Sequence, residues 1–182
     1  LNASVQGKPD LKRTKIINTD LRYELYPRAG EVFTVGVFYK YFKDPIEQLY
    51  NEGAGGASTF TYQNPNNAYS YGAEIEMRKK LDAIAGLKNF TLQTNVSIIK
   101  SNVKDELLKV NRALQGQSDY LVNAGLLYDL EKIGLNVTTL FNIIGKRIYL
   151  VGDASAAAGT PDVYEAPRPL LDFQIAKKLL KT

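Results

Sequence analysis

The sequence predicts an all-β chain, an antiparallel up-and-down meander of about seven long strands of the kind that makes a segment of a transmembrane β-barrel. Three observations lead there. Apolar residues recur every second position over stretches longer than the about 5–6 residues of an ordinary strand, and close to the about 9–11 that a tilted strand needs to cross a bilayer. The opposite faces of those stretches carry ionisable residues in series, which a dry core tolerates only when they are paired. Short and long connections alternate along the chain, as in barrels with short turns at one rim and long loops at the other.

The opening hairpin shows the pattern first. Ile17, Thr19, Leu21, Tyr23 and Leu25 share one face, and Asn18, Asp20, Arg22 and Glu24 the other, a period of two. Pro27-Arg28-Ala29-Gly30 is turn chemistry, with the fixed φ of proline at one end and glycine at the other. The second strand places Phe33, Val35, Val37, Tyr39 and Tyr41 opposite Thr34, Gly36, Phe38 and Lys40, and ends near Asp44-Pro45, where proline forbids a ladder bond. Residues 1–14 read as a loop.

Residues 44–67 read as a long connection rich in Gly, Asn and Pro, with a short β piece at 59–62. The third strand sets Tyr69, Tyr71, Ala73, Ile75 and Met77 against Gly72, Glu74, Glu76 and Arg78. After a connector at 80–89, the fourth sets Phe90, Leu92, Thr94, Val96 and Ile98 against Thr91, Gln93, Asn95 and Ser97. Residues 100–117 are again a long connection, in which Leu107, Val110 and Leu114 have the spacing of a short helix.

The fifth strand carries Tyr120, Val122, Ala124, Leu126 and Tyr128 on one face, and the sixth Leu135, Val137, Thr139, Phe141 and Ile143. A brief turn at 129–134 joins them. Residues 149–169 form a third long connection with an alanine run. The last strand reads Leu171, Phe173 and Ile175 against Asp172 and Gln174, and the tail Lys177-Lys178-Leu179-Leu180 fits a helix as well as a strand.

Composition narrows the function. The 182 residues suffice for one domain, taken here as a single unit over 1–182, a partial barrel domain. No run of about 18 apolar residues marks a transmembrane helix, and the mean hydropathy of −0.23 is what alternating strands give. The chain has no cysteine and no histidine, which removes thiolate and imidazole metal sites and the usual nucleophile–base pairs, so no catalytic residue, metal or cofactor is expected. The net charge of +4 is scattered among acids and never forms a basic run interleaved with aromatics, so nucleic acid is not an expected partner.

Aromatics are tyrosine-heavy, 12 Tyr and 7 Phe with no Trp. Tyr23, Tyr41, Tyr69, Tyr120 and Tyr128 suit girdles at a water–lipid boundary, or core positions in a soluble protein. The glycine-rich stretch 53–56 lacks the Gly-Lys-Ser/Thr ending of a phosphate loop and reads as a loop tip. The Asn-X-Ser/Thr triplets at Asn89, Asn95 and Asn136 lie in or beside strands and read as coincidence.

Several segments resemble the barrel of TonB-dependent outer-membrane receptors, in the Bacteroidetes-type form and its C-terminal part. They are Asn18-Thr19-Asp20-Leu21-Arg22-Tyr23-Glu24; Gly36-Val37-Phe38-Tyr39-Lys40 with Asp44-Pro45-Ile46-Glu47; and Tyr71-Gly72-Ala73-Glu74-Ile75-Glu76-Met77-Arg78. Arg112-Ala113-Leu114-Gln115-Gly116-Gln117-Ser118 with Tyr120, Asn123 and Gly125-Leu126 is the most specific, followed by Asn142, Gly145-Lys146-Arg147-Ile148, Pro161-Asp162 and Pro167-Arg168 before Asp172.

The resemblance implies a parent barrel of about 22 strands around a plug, in the Gram-negative outer membrane, importing a scarce nutrient with energy delivered through TonB. Iron chelates, cobalamin and glycans are the nutrient classes the resemblance allows. Its implied partners are the bilayer, the rest of the receptor with its plug, the TonB complex and the nutrient. The chain reads as an excised piece of that parent, without plug or final strands. Asp20, Arg22, Glu24, Glu74, Glu76 and Arg78 become the lumen-facing candidates. They would line the substrate path or contact the plug, or simply satisfy one another across strands in a wet interior. A soluble all-β carbohydrate-binding module and a passive porin-like barrel are the alternatives. The module requires the apolar faces to meet in one dry core, whereas a barrel turns them outward.

Overall fold

In the computed structural model, which describes residues 3–52, 56–105, 110–153 and 159–179, the described backbone is almost entirely extended. The chain opens with β1 (Ala3–Val5) and the long hairpin β2 (Lys15–Leu25) and β3 (Val32–Lys43). A smaller hairpin, β4 (Glu47–Glu52) and β5 (Ser58–Gln63), precedes β6 (Asn67–Lys80) and β7 (Phe90–Asp105). Then come β8 (Val110–Arg112), β9 (Tyr120–Leu130), β10 (Leu135–Ile144), β11 (Arg147–Gly152), β12 (Val163–Glu165) and β13 (Arg168–Lys177).

Two sheets result. The larger has the order β13-β10-β9-β7-β6-β3-β2, with β8 added to β7, and every pairing in it is antiparallel. This is the seven-strand meander that the alternation predicts, each strand beside its predecessor among the long ones. Its end strands β2 and β13 do not pair with each other among the described residues, so the sheet is an open wall.

Register carries the alternation across the wall. Tyr23, Val35, Ile75, Val96, Val122 and Ile143 lie in one row, and Leu25, Phe33, Met77, Thr94, Ala124, Phe141 and Leu171 in another. Among the described residues this apolar face meets no second layer that buries it. Leu21 is 74 % exposed and Leu171 72 %, with Phe173, Ile175, Ile17 and Ile98 similarly open. One dry core shared by apolar faces, the requirement of the soluble module, is therefore not how this chain folds. No helix among the described residues is long and apolar enough to cross a membrane.

The second sheet, in the order β1-β5-β4-β11-β12, is built from the lead-in before β2 and from the connections between β3 and β6 and between β10 and β13, all at one end of the wall. Here the structure corrects the sequence reading. Residues 1–14 contain β1, which pairs in parallel with β5. The connection at 44–67 holds the β4–β5 hairpin, so the short β piece at 59–62 has a partner. The connection after β10 holds β11 and β12, and β11 pairs in parallel with β4 through Val151–Leu49 and Gly152–Tyr50. These strands are short and their partners distant in sequence, so local turn chemistry dominates how they read.

The helical spacing at Leu107, Val110 and Leu114 does not give a helix over the described part. Val110 lies in β8, held by the ladder to Val103, Lys104 and Asp105, and Leu107 lies outside the described residues. The fourth strand runs on to Asp105, because β6 pairs with it as far as Lys104 on one side and β8 pairs with Val103 to Asp105 on the other. Of the tail, Lys177 ends β13, Lys178 and Leu179 are irregular, and Leu180 lies outside the described residues. The glycine-rich tip at 53–55 and the alanine run at 154–158 also lie outside them.

The buried apolar cluster sits in the loop layer: Leu49 of β4 with Ile148 and Val151 of β11, and Ala113 packed beside them. Ala68 and Val103, at the loop-side ends of β6 and β7, are buried as well. At the opposite rim the connections are tight: Arg28 to Glu31 closes one turn, and a single 3-10 turn, Glu131–Ile133, ends in left-handed Gly134.

Candidate functional site

The polar face of the wall is where the sequence placed its candidates, and the register gathers them. Glu24, Thr34, Glu76, Asn95, Asn123 and Asn142 form one cross-strand row spanning β2 to β10. Arg78, Gln93, Gly125, Leu140 and Asp172 form the next row toward the short turns. Between these rows lies a recess of ≈ 490 Å³ that includes Glu76, Arg78, Asn95, Asn123, Asn142 and Asp172 in its lining.

Arg22 is the hub of the candidate cluster. Its Nε lies 2.6 Å from Glu24 Oε1, and its Nη2 lies 3.5 Å from Glu76 Oε2 two strands away. Glu74 accepts from Ser97 Oγ at 3.4 Å, and Asp20 accepts from the Asn18 amide. Thus Arg22, Glu24 and Glu76 are brought together, whereas Asp20 and Glu74 have partners of their own and Arg78 faces the recess. Pairs this exposed contribute about 0–1 kcal/mol each, so they serve chiefly to make an ionic face compatible with water. Asn95, Asn123 and Asn142 were not among the sequence candidates. Asn142 donates to Asn123 across the β9–β10 pair. Their signal was present, an amide at a polar-face position in three successive strands, but it becomes a row only when the register is known.

A second polar cluster clamps the loop layer. The Arg112 guanidinium grips Glu47 with Nη1–Oε1 at 2.9 Å and Nη2–Oε2 at 2.7 Å, while Nη1 also donates to the Ala113 carbonyl at 3.1 Å. Asp162 stands 3.9 Å from Arg112 Nε and accepts from the Gly152 amide at 2.9 Å. Glu47 is 2 % exposed, and the fork-to-fork geometry gives both of its buried oxygens a charge-assisted partner. Gln115 extends the clamp, accepting from the Gln48 amide at 3.1 Å and donating to the Tyr149 carbonyl at 3.1 Å. The Gly116 amide donates to the Ile148 carbonyl at 2.9 Å. Residues 112–118 therefore tie β4, β8 and β11 together.

At the short-turn rim, Glu31 accepts from Arg28 Nη2 at 2.5 Å, Lys79 Nζ at 3.0 Å and the Lys80 amide at 3.2 Å. Arg28 also binds both oxygens of Asp82, at 3.0 and 2.8 Å, which joins two adjacent turns. The Arg28 hydrogen bond, ahead of the Lys79 and Lys80 bonds, outweighs burial and holds the Glu31 carboxyl down at about 2. The same guanidinium lowers Asp82.

Tyr23, Tyr41, Tyr69, Tyr120 and Tyr128 fall on the apolar face. Tyr41 and Tyr69 are paired across β3 and β6 near the loop end, with Tyr69 and Tyr71 stacked at 6.3 Å. Near the short turns Tyr128 meets Phe90 at 4.8 Å. Aromatic rings thus sit toward both ends of the apolar band, the arrangement of a membrane barrel.

With this geometry established, comparison with known proteins decides the family. The model of the TonB-dependent-receptor-like β-barrel matches residues 1–178. The chain belongs to the TonB-dependent receptor family, as a piece of its β-barrel. Among solved structures it is similar to a variant of the ferric enterobactin receptor of Pseudomonas aeruginosa, with 18 % identity and a TM-score of 0.62 over 97 % of this chain and 25 % of that one. It is also similar to the siderophore receptor PirA of Acinetobacter baumannii, with 16 % identity and a TM-score of 0.63 over 97 % of this chain and 27 % of that one. A copper transporter, OprC, gives 16 % identity and a TM-score of 0.69 over 95 % and 24 %. The chain thus spans about a quarter of the length of these structures, and at such identity the likeness is one of fold. No curated protein matches. The two edges of the wall that are unpaired among the described residues, β2 and β13, accord with a segment that spans about a quarter of these structures.

Proposed function

We propose that this chain supplies wall, loops and lumen surface to an outer-membrane TonB-dependent receptor that takes up a nutrient actively. The observation that carries the proposal is the two-faced wall: long antiparallel strands whose apolar face is open over seven strands while the polar face carries the ionic and amide rows. A bilayer is the medium that such an apolar face requires, and an aqueous lumen suits the other. The loop layer then lies at the extracellular rim and the Arg28–Glu31–Asp82 turns at the periplasmic one.

In this reading the nutrient meets loops and plug from outside, and TonB pulls on the plug from the periplasm. Arg22, Glu24, Glu74, Glu76, Arg78 and Asp20 keep the wall facing the plug hydrated and charged, and no bond of the nutrient is made or broken. A passive porin would need neither plug nor TonB. Family membership favours the energised receptor.

The test is uptake by cells expressing the receptor that carries this segment, with and without TonB. Uptake that stops when TonB is deleted supports the reading, and uptake that continues unchanged supports a passive barrel. For the wall itself, β signal in circular dichroism that forms only with detergent or lipid is expected. A monodisperse folded monomer of this chain in plain buffer would overturn the membrane assignment.

A further inference from the structure

The apolar face of the wall changes character at its loop-side end. Leu21, Val37, Ala73 and Ile98 form one cross-strand row of that face, and Thr19, Tyr39, Tyr71 and Lys100 the next toward the loops. Ile17, Tyr41, Tyr69 and Asn102 follow, and the last row is Lys15, Lys43, Asn67 and Lys104. Three lysines thus stand on β2, β3 and β7 just beyond the tyrosines, and all three are exposed. Three interstrand steps separate β2 from β7, which makes the row about 14 Å long.

Lys15 and Lys43 are direct partners in the antiparallel ladder, a relation in which like charges repel. Among the described residues neither has an acid within ion-pair distance. Other lysines of this face are matched: Lys100 Nζ lies 2.7 Å from Asp119, and at the opposite rim Lys79 Nζ lies 3.0 Å from the buried Glu31. The backbone holds the repelling pair in place. Asn64 accepts from the Lys12 amide at 2.8 Å and donates to the Asp44 carbonyl at 2.9 Å, and the Thr14 hydroxyl donates to the same carbonyl at 2.9 Å. The lead-in so pinned carries two further exposed cations, Lys12 and Arg13. An anion seated between the two ammonium groups would relieve the repulsion, and a phosphate offers each of them an acceptor oxygen. What borders the seat is apolar, since Ile17 and Leu21 of β2 are 64 % and 74 % exposed on the same face. The sequence of charge, aromatic ring and aliphatic side chain down the strands is that of a lipid from phosphate to acyl chain.

We propose that this row is a docking site for a phosphorylated glycolipid of the outer leaflet. Lys15 and Lys43 clasp a headgroup phosphate, Lys104 extends the positive field along the row, and the acyl chains lie on Ile17 and Leu21. The proposal rests on the receptor reading above, which sets the loop layer outside the cell, and it names a partner for the lipid-facing side of the wall.

The experiment is native mass spectrometry of the receptor carrying this segment, purified in detergent and titrated with lipid A bearing both of its phosphates. The comparison probes are the same lipid dephosphorylated, phosphatidylglycerol, and inorganic phosphate as a competitor. The phosphorylated glycolipid should bind most tightly. The double variant Lys15→Gln with Lys43→Gln should weaken it about tenfold, whereas the two changed to Arg should retain it. Lys40→Gln, which removes the same charge from the opposite face of β3, should leave binding unchanged. Retained binding in the Arg variant shows that the site folds with both positions substituted. Equal binding of the dephosphorylated lipid or of phosphatidylglycerol would overturn the proposal, as would displacement of the lipid by inorganic phosphate at comparable concentration. So would a loss in Lys40→Gln equal to that of the double variant. Uptake that still depends on TonB alongside any of these outcomes would remove this inference alone, whereas uptake that ignores TonB would strike the receptor reading itself.

Discussion

The wall and the loop layer solve the same problem in opposite ways. In the wall, strands of 10 to 16 residues leave Leu21, Phe173 and Leu171 open and spread charges over the other face in exposed pairs such as Arg22–Glu24. In the loop layer, strands of 3 to 6 residues bury Leu49, Ile148 and Val151, and enclose the Arg112–Glu47 pair beneath them. The loop layer is organised like a small water-soluble protein with a dry centre. The wall has one open apolar face and one ionic face, and the buried apolar cluster among the described residues lies outside it. One chain thus joins a layer with its own buried apolar cluster, the cap, to a sheet that has an open apolar face.

The largest effect expected from breaking this contrast lies in the cap. Arg112→Met leaves the Glu47 carboxylate buried and unpaired, a loss of about 3–5 kcal/mol. It should appear as rapid proteolysis within residues 44–67 and 147–165 while the detergent-resistant β signal of the wall persists. Equal loss of both signals would show that cap and wall are one cooperative unit.

Next, Leu21→Arg places a charge on the open face and should cost about 2–4 kcal/mol in a bilayer if Leu21 lies near its midplane, read from refolding titrations into lipid vesicles. A neutral outcome would mean that this face sees water. A smaller change follows in the cap core, where Ile148→Val should cost about 0.5–1.5 kcal/mol by the same proteolysis measurement.

Acid separates the rims. The Glu31 carboxyl titrates at about 2 against an ordinary 4.5, so its contribution is complete above about pH 4.5 and is lost as pH falls through 2. Hydrogen exchange at the 28–31 and 79–82 turns should therefore accelerate across that window, and Glu31→Gln should reduce the acceleration to the part carried by Asp82, which the same guanidinium lowers. Smallest of all, Arg22→Ala should change stability by no more than about 1 kcal/mol, measured by the same refolding titration.

The wall was legible in the sequence because its information is local. The alternation of Ile17 to Leu25 and of Tyr69 to Met77 fixes strand identity and face, and Pro27 to Gly30 fixes the first hairpin. The cap was not, because its information is distant. Glu47 and Arg112 are 65 residues apart, and nothing in the neighbourhood of either announces the other. Leu49 and Val151 meet through a parallel pair that no short turn dictates, while the Gly- and Asn-rich residues around β4 and β5 read as loop.

The candidate site divides along the same line. Glu24, Glu76 and Arg22 were visible as a repeated acid–arginine pattern. The Asn95–Asn123–Asn142 row required the register of β7, β9 and β10.

The account stands most directly on which way the wall faces. The chain has no cysteine, so single substitutions Val37→Cys and Glu74→Cys place one spin label each on neighbouring strands of this segment, one per face. In the receptor reconstituted in lipid, the label at 37 should collide with dissolved oxygen and be shielded from a water-soluble nickel chelate, and the label at 74 should show the reverse. Equal access of the nickel chelate to both labels, or shielding of 74 with exposure of 37, would contradict it.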